Sequence, residues 1–394
     1  MASRAHIDEV LRQAVDAKEV PGVVAVAAND AGVLYEGAFG TRSLAGGPAM
    51  TMDTVFRIAS MTKAVTSVAA MQLVEQGKLK LEEPVPNIDP ALGAPQVLEG
   101  FDATGEPKLR PAKRPITLRH LLTHTAGFCY EIWNPLMFRY VSRVGMPSTS
   151  TGKIASLRMP LVFDPGEKWE YGINTDWVGR IVESLTGQSL DAYFRRNIFG
   201  PLGMKDTGFM TSDEQRSRQA TVHQRRKDGG LVPQPLETHV TPEVYAGGGG
   251  LYSTAGDYLM FLRMLLRGGS LNGAQVLKPE TVALMNQNHV GDLPSGVLKS
   301  YDAGRSNDAD FSPGAQARWS LGHMLNMERG PNGRSAGTVS WGGLFNSYYW
   351  LDPAWRVTGA IFTQILPFAD LQSLKLYGRF ERGIYDAVKA RCHA

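Results

Sequence analysis

Apolar residues recur at helical spacing from the start of the chain. Ile7, Val10, Leu11, Ala14 and Val15 share one face and predict an amphipathic helix over residues 5–18. Pro21-Gly22 ends it. Val23 to Ala28 then reads as a buried strand, Asn29-Asp30-Ala31-Gly32 as a turn, and Val33 to Phe39 as the returning strand. From Ser60 to Glu75 nearly every face is apolar (Ala64, Val65, Val68, Ala69, Ala70, Met71, Leu73, Val74). Such a helix belongs inside the core, and Gly77 is placed to cap its end.

Residues 81–115 are rich in Pro and Gly and read as irregular surface, and residues 117–240 read as mostly helical. Helices are predicted over 176–186, closed by Gly187, and over 190–197. The run Gly247-Gly248-Gly249-Gly250 breaks the chain ahead of a strong helix at 257–266. Strand-like runs follow at 338–341, 347–351 and 357–363, and a last amphipathic helix covers about 370–390. Strands and helices thus cluster at both ends. This predicts an α/β domain from residues 1–80 and 240–394, with a mostly helical domain from 81–239 inserted between them.

Composition narrows the function classes without choosing among them. The 394 residues are 43% hydrophobic and 20% charged, with a net charge of +3. That balance fits a soluble globular protein and argues against nucleic-acid or membrane partners. No run approaches the ~18 apolar residues of a membrane span. The first residues carry charges every few positions, unlike a signal peptide, so a cytoplasmic location is expected. Cys129 and Cys392 have no metal-ligand spacing and are expected to be reduced thiols, although one bridge between them stays open.

Chemistry concentrates at Phe56-Arg57-Ile58-Ala59-Ser60-Met61-Thr62-Lys63. Ser60 and Lys63 are three residues apart at the mouth of the apolar helix, so their side chains lie on one face. A neutral amine beside a serine can take its proton, and the unpaired N–H groups of a helix start favour an oxyanion there. His120 and His124 have i, i+4 spacing, but no Glu follows the first His and no third ligand is evident. A structural, hydrogen-bonding role is the better reading for both. Gly333-Arg334-Ser335-Ala336-Gly337 matches the G-x-S-x-G elbow, yet no buried strand precedes it and no helix follows. It reads as a flexible surface loop. Tyr171, after the turn at Pro165-Gly166, is placed at an exposed corner, where a lysine beside it would share its proton.

Taken together, these segments resemble the class C β-lactamase-like serine hydrolases, and among them the family VIII carboxylesterases. Ser60-Met61-Thr62-Lys63 matches the S-x-x-K motif. Tyr171 followed by Asp176, Val178 and Gly179 matches the tyrosine motif, and Trp341-Gly342-Gly343 matches the W-G-G that stands where β-lactamases have K-T-G. Leu121-Leu122-Thr123-His124-Thr125-Ala126-Gly127 and Gly248-Gly249-Gly250-Leu251-Tyr252-Ser253-Thr254 fit the same order, and the likeness spans roughly 20–385. The resemblance implies an antiparallel sheet flanked by helices plus a mostly helical domain, with the site in the cleft between them.

It also implies that Ser60 is acylated, that Lys63 and Tyr171 move the proton, and that backbone N–H groups of Ser60 and Leu344 form the oxyanion hole. Trp341, Gly342 and Gly343 would bind substrate, with Trp341 lining the acyl or alcohol pocket. No metal or organic cofactor is implied, and the expected partner is a small-molecule ester. The chain departs from class C β-lactamases in lacking the Asn of Y-x-N, since Ile173 stands there, and the cation of K-T-G. Both losses favour neutral esters, with at most weak cephalosporin hydrolysis. Two alternatives stay open. Residues 95–102 and 171–177 look like the fungal acyltransferases that acylate statin precursors, which would pass the acyl group to an alcohol. The other alternative is a non-catalytic binding protein on the same scaffold.

Overall fold

The computed structural model describes residues 4–235, 241–312 and 314–392. Its centre is a seven-stranded antiparallel sheet built from both ends of the chain. The N-terminal part supplies β1 (Gly22–Asn29) and β2 (Val33–Gly40), preceded by helix α1 (Arg4–Asp16). After the long middle of the chain come β3 (Ala317–Trp319), β4 (Met324–Asn326), β5 (Val339–Gly343), β6 (Ser347–Asp352) and β7 (Val357–Phe362). The strand order is β3-β4-β5-β6-β7-β1-β2, so β7 and β1 join the two chain ends, with Val24 opposite Phe362. The mixed architecture with an antiparallel sheet and flanking helices is the one expected.

Both faces of the sheet are covered, which explains why its central strands show no alternation. Every residue of β6 is buried. Tyr349 faces Tyr258 of the helix Ala255–Leu266, whereas its neighbours Tyr348 and Trp350 face Tyr377 and Phe380 of the C-terminal helix Leu371–Cys392. Successive strand residues point to opposite faces, so a helical layer on each side demands apolar or aromatic residues at every position.

The predicted apolar helix is present as α2 (Thr62–Glu75), with every residue from Thr62 to Leu73 buried. It packs against the helix Asn174–Thr186, which comes from the middle of the chain. That middle region is less helical than expected. Residues 81–115 include an antiparallel hairpin, Gln96–Phe101 with Pro107–Pro111, that the Pro and Gly content disguised. Residues 117–240 include two short strands, His223–Arg225 and Leu231–Pro233, and several single-turn helices. Residues 236–240 lie outside the described residues. Among the described residues no helix is long and apolar enough to cross a membrane.

Candidate active site

Ser60 sits on a single 3-10 turn, Ala59–Met61, that leads into α2, rather than within the α-helix itself. Three hydrogen bonds hold the turn. Ile58 N–H donates to the Leu251 carbonyl (3.1 Å), Leu251 N–H donates to Thr62 Oγ1 (3.2 Å), and the Tyr258 hydroxyl donates to the Met61 carbonyl (2.9 Å). Ala59 has φ +44°, a left-handed conformation that costs an L-residue on the order of 1 kcal/mol. Gly343, at the end of β5, presses on this turn from the sheet. A Cβ there would stand 2.3 Å from the Ile58 carbonyl oxygen, so only glycine fits. Leu344 follows directly and borders the same cleft as Ser60, and the Asn346 N–H closes the turn onto the Gly343 carbonyl (2.9 Å).

The first turn of α2 brings Lys63 Nζ to 3.2 Å from Ser60 Oγ, as the i, i+3 spacing predicts. Lys63 is buried, and its Nζ also donates to the Gly248 carbonyl (2.7 Å) and the Tyr130 hydroxyl (3.1 Å). Burial disfavours the ammonium and lowers Lys63 to about 7, partly opposed by the negative charge of Asp176. A lysine in that range is a usable base near neutral pH.

Tyr171 is not on an exposed corner. It is 3% exposed, inside a box of rings with centroids at 4.8 Å (His124), 4.9 Å (Trp341) and 5.4 Å (Tyr130 and Trp133). The turn at Pro165-Gly166 is present, but the segment after it runs inwards. His124 explains how it is held: its carbonyl accepts the Glu170 N–H (2.9 Å), and its Nδ1 faces the Gly172 N–H (3.4 Å) and the Asn174 amide (3.0 Å). Burial, with the nearby Lys63 charge, keeps His124 well below its ordinary range and therefore neutral. It is a structural histidine, as expected, and it brackets Tyr171.

The Tyr171 hydroxyl accepts the Trp341 indole N–H (2.8 Å) and lies beside the Ser60 hydroxyl. Burial pushes the phenol up, so it stays protonated at neutral pH. Lys63 Nζ stands 4.7 Å from the Tyr171 ring centroid, over its face, and the phenol to which it hydrogen-bonds is Tyr130. Sequence reasoning missed Tyr130. No motif marks it, and it reaches Lys63 because its N–H pairs with the Tyr171 carbonyl (3.1 Å).

A cleft of about 330 Å³ opens over Ser60. Tyr130, Asp176, Gly248 and Leu344 border it, with Trp133, Phe209 and Val244 as apolar wall and Arg57 and Arg305 as charged positions. Trp341 does not line this cleft. It is buried in the sheet behind Tyr171, packed on Trp319 (4.7 Å), because β5 directs its ring into the core. Gly342 is also a core position, where a Cβ would meet the Tyr348 ring at 2.4 Å. Asn174 is turned into the protein, donating to the Phe128 carbonyl (3.2 Å), and does not replace the missing Y-x-N asparagine at the cleft.

The G-x-S-x-G segment lies between β4 and β5 with no helix after it, so it is not an elbow. It is better anchored than the flexible loop expected. Buried Arg334 pairs with Glu381 and donates to the Tyr377 hydroxyl (2.6 Å) and Ser340 Oγ (3.0 Å). Cys129 is a buried free thiol. Among the described residues no cluster of His, Cys, Asp or Glu has the arrangement of a metal site.

A family model described as Beta-lactamase matches residues 7–381. The chain is 34% identical to the monacolin J acid methylbutanoyltransferase of Aspergillus terreus, over 96% of this chain and 95% of the relative. It is 31% identical to a lovastatin esterase of Penicillium rubens, over 98% and 99% of the two chains. Among solved structures, unliganded simvastatin synthase (LovD) from Aspergillus terreus superposes with a TM-score of 0.83 at 32% identity, covering 97% of this chain and 98% of that one.

Proposed function

Because this chain belongs to the beta-lactamase family and is an enzyme of the serine-hydrolase superfamily, we propose that it is a carboxylesterase that cleaves short acyl esters through a Ser60 acyl-enzyme. The observation that carries this reading is buried Lys63, lowered to about 7, with its Nζ 3.2 Å from Oγ of Ser60, which lines an open cleft. Neutral Lys63 takes the Ser60 proton as Oγ bonds to the ester carbonyl carbon. The N–H groups of Ser60 and Leu344 receive the oxyanion, at about 3 kcal/mol per donor. Collapse of the tetrahedral adduct breaks the ester C–O bond. The Tyr171 hydroxyl, beside Ser60 and kept protonated by burial, gives its proton to the departing alcohol and recovers one from Lys63. Water then enters, loses a proton to the same pair, and releases the acid.

Trp341 acts through Tyr171 in this scheme, as a positioning residue rather than a pocket wall. β-Lactam hydrolysis is slow, because an uncharged indole stands where the family's cation would meet the β-lactam carboxylate, and Trp341 does not line the cleft.

A second reading keeps every step up to the acyl-enzyme and replaces water by an alcohol. The likeness to the monacolin J acid methylbutanoyltransferase, over nearly the whole chain, favours it. Supplying p-nitrophenyl butyrate with graded concentrations of small alcohols separates the two. An esterase forms mainly butyrate at every alcohol concentration. Alkyl butyrate as the dominant product at low alcohol concentration would replace hydrolysis by transfer as the principal activity.

A further inference from the structure

Behind Lys63 lies a carboxyl that the acyl-transfer scheme leaves unused. Asp176 is the third residue of the helix Asn174–Thr186 and only 2% exposed. Its Oδ1 accepts the Gly248 N–H (2.9 Å), and the carbonyl of the same Gly248 accepts Lys63 Nζ (2.7 Å). One glycine therefore ties the carboxyl to the amine. A Cβ at Gly248 would stand 2.5 Å from Asp176 Oδ2, so the contact requires glycine. A second tie runs through Tyr130, whose hydroxyl accepts from Lys63 Nζ (3.1 Å) and faces Asp176. Oδ2 is buried with no hydrogen bond of ordinary geometry. Such a carboxyl is costly to bury, and an apolar side chain would serve packing better.

We propose that Asp176 is a positioning residue for the base. It aims Lys63 at Ser60 through Gly248 and Tyr130, and its charge keeps Lys63 basic enough to hold the proton it removes. The inference rests on the Ser60 acyl-enzyme reading. Lys63 has lost water on every side, and desolvation alone drives a buried amine towards permanent neutrality. A base that cannot hold a proton removes none. The groups facing Lys63 are Ser60 on its own turn, Tyr130, Tyr171, the neutral imidazole of His124, and Asp176. Glu131 and Arg305 lie beyond Tyr130, paired with each other (2.8 Å). Asp176 is thus the anionic group of this set that acts directly on the lysine.

The experiment is the pH dependence of Ser60 labelling by a fluorophosphonate probe in wild type and Asp176→Asn, with the labelled peptide identified by mass. Asparagine retains an oxygen for the Gly248 N–H and removes the charge. A charge at this range moves a partner by roughly one to three pH units. The acid limb of Asp176→Asn is therefore expected at least one pH unit lower, with the plateau rate down about tenfold or more. A limb that stays in place or moves upwards overturns the inference while leaving the acyl-enzyme intact. A wild type unlabelled at Ser60 overturns the acyl-enzyme reading itself and this inference with it. If Asp176→Asn does not fold, Gly248→Ala tests the same tie, because its methyl drives the carboxylate off Gly248. A folded Gly248→Ala protein with the wild-type limb and plateau overturns the inference as well.

Discussion

Acidification through neutrality should switch the enzyme off, and the structure says by how much. Lys63 must be neutral to accept the Ser60 proton. An ordinary lysine is neutral at pH 7 in only about one molecule in three thousand. With Lys63 lowered to about 7, about half the molecules are competent. From pH 8 to pH 6 that fraction falls from about nine-tenths to about one-tenth, so kcat/KM should drop about tenfold. The neighbouring groups keep their states across this window: burial holds His124 neutral, and holds Tyr130 and Tyr171 protonated. The sign follows from the active form being the deprotonated one, so activity is present above about pH 7 and lost below. Initial rates on p-nitrophenyl butyrate, read at the isosbestic wavelength of nitrophenol at constant ionic strength, give the profile. A flat profile between pH 5.5 and 8.5, or a limb near pH 10, would refute the assignment of Lys63 as the base.

Other perturbations separate the remaining roles. Tyr171→Phe should lower kcat roughly 10²- to 10⁴-fold with KM little changed, as expected for loss of a proton donor, and circular dichroism should report an unchanged fold. Trp341→Phe removes the indole N–H from the Tyr171 oxygen. It should cost about tenfold in kcat with no change in KM, since Trp341 does not border the cleft. A raised KM would restore it to the substrate pocket. Ser335→Ala should retain full esterase activity. Arg334→Met strands buried Glu381 and should destabilise the protein by about 3–5 kcal/mol in urea unfolding.

What was legible in the chain, and what was not, divides along physical lines. The apolar helix, the first strand and the C-terminal strand runs are readable because burial on both faces leaves continuous apolar sequence. The Ser60–Lys63 contact was readable because it is local and needs only helical geometry. The hairpin at 96–111 was hidden by its short, half-exposed strands among Pro and Gly. Tyr171 was assigned to the surface because the turn before it signals a change of direction without saying which way. Its burial depends on rings that come from three distant segments, around residues 124–130, 319 and 341. Tyr130 and Asp176 meet Lys63 only in three dimensions, so no spacing rule could have linked them to it. The W-G-G motif marks Trp341, yet the direction of its ring is a property of the pleat of β5, which the motif does not carry.

The most direct test of the central claim is to mix the protein with p-nitrophenyl butyrate, follow nitrophenol release, and acid-quench samples for peptide mass analysis, in wild type and Ser60→Ala. The account predicts release by the wild type, a butyryl group on the peptide carrying Ser60, and neither in Ser60→Ala. Equal release by both proteins, or a butyryl group on another serine such as Ser335, would contradict it.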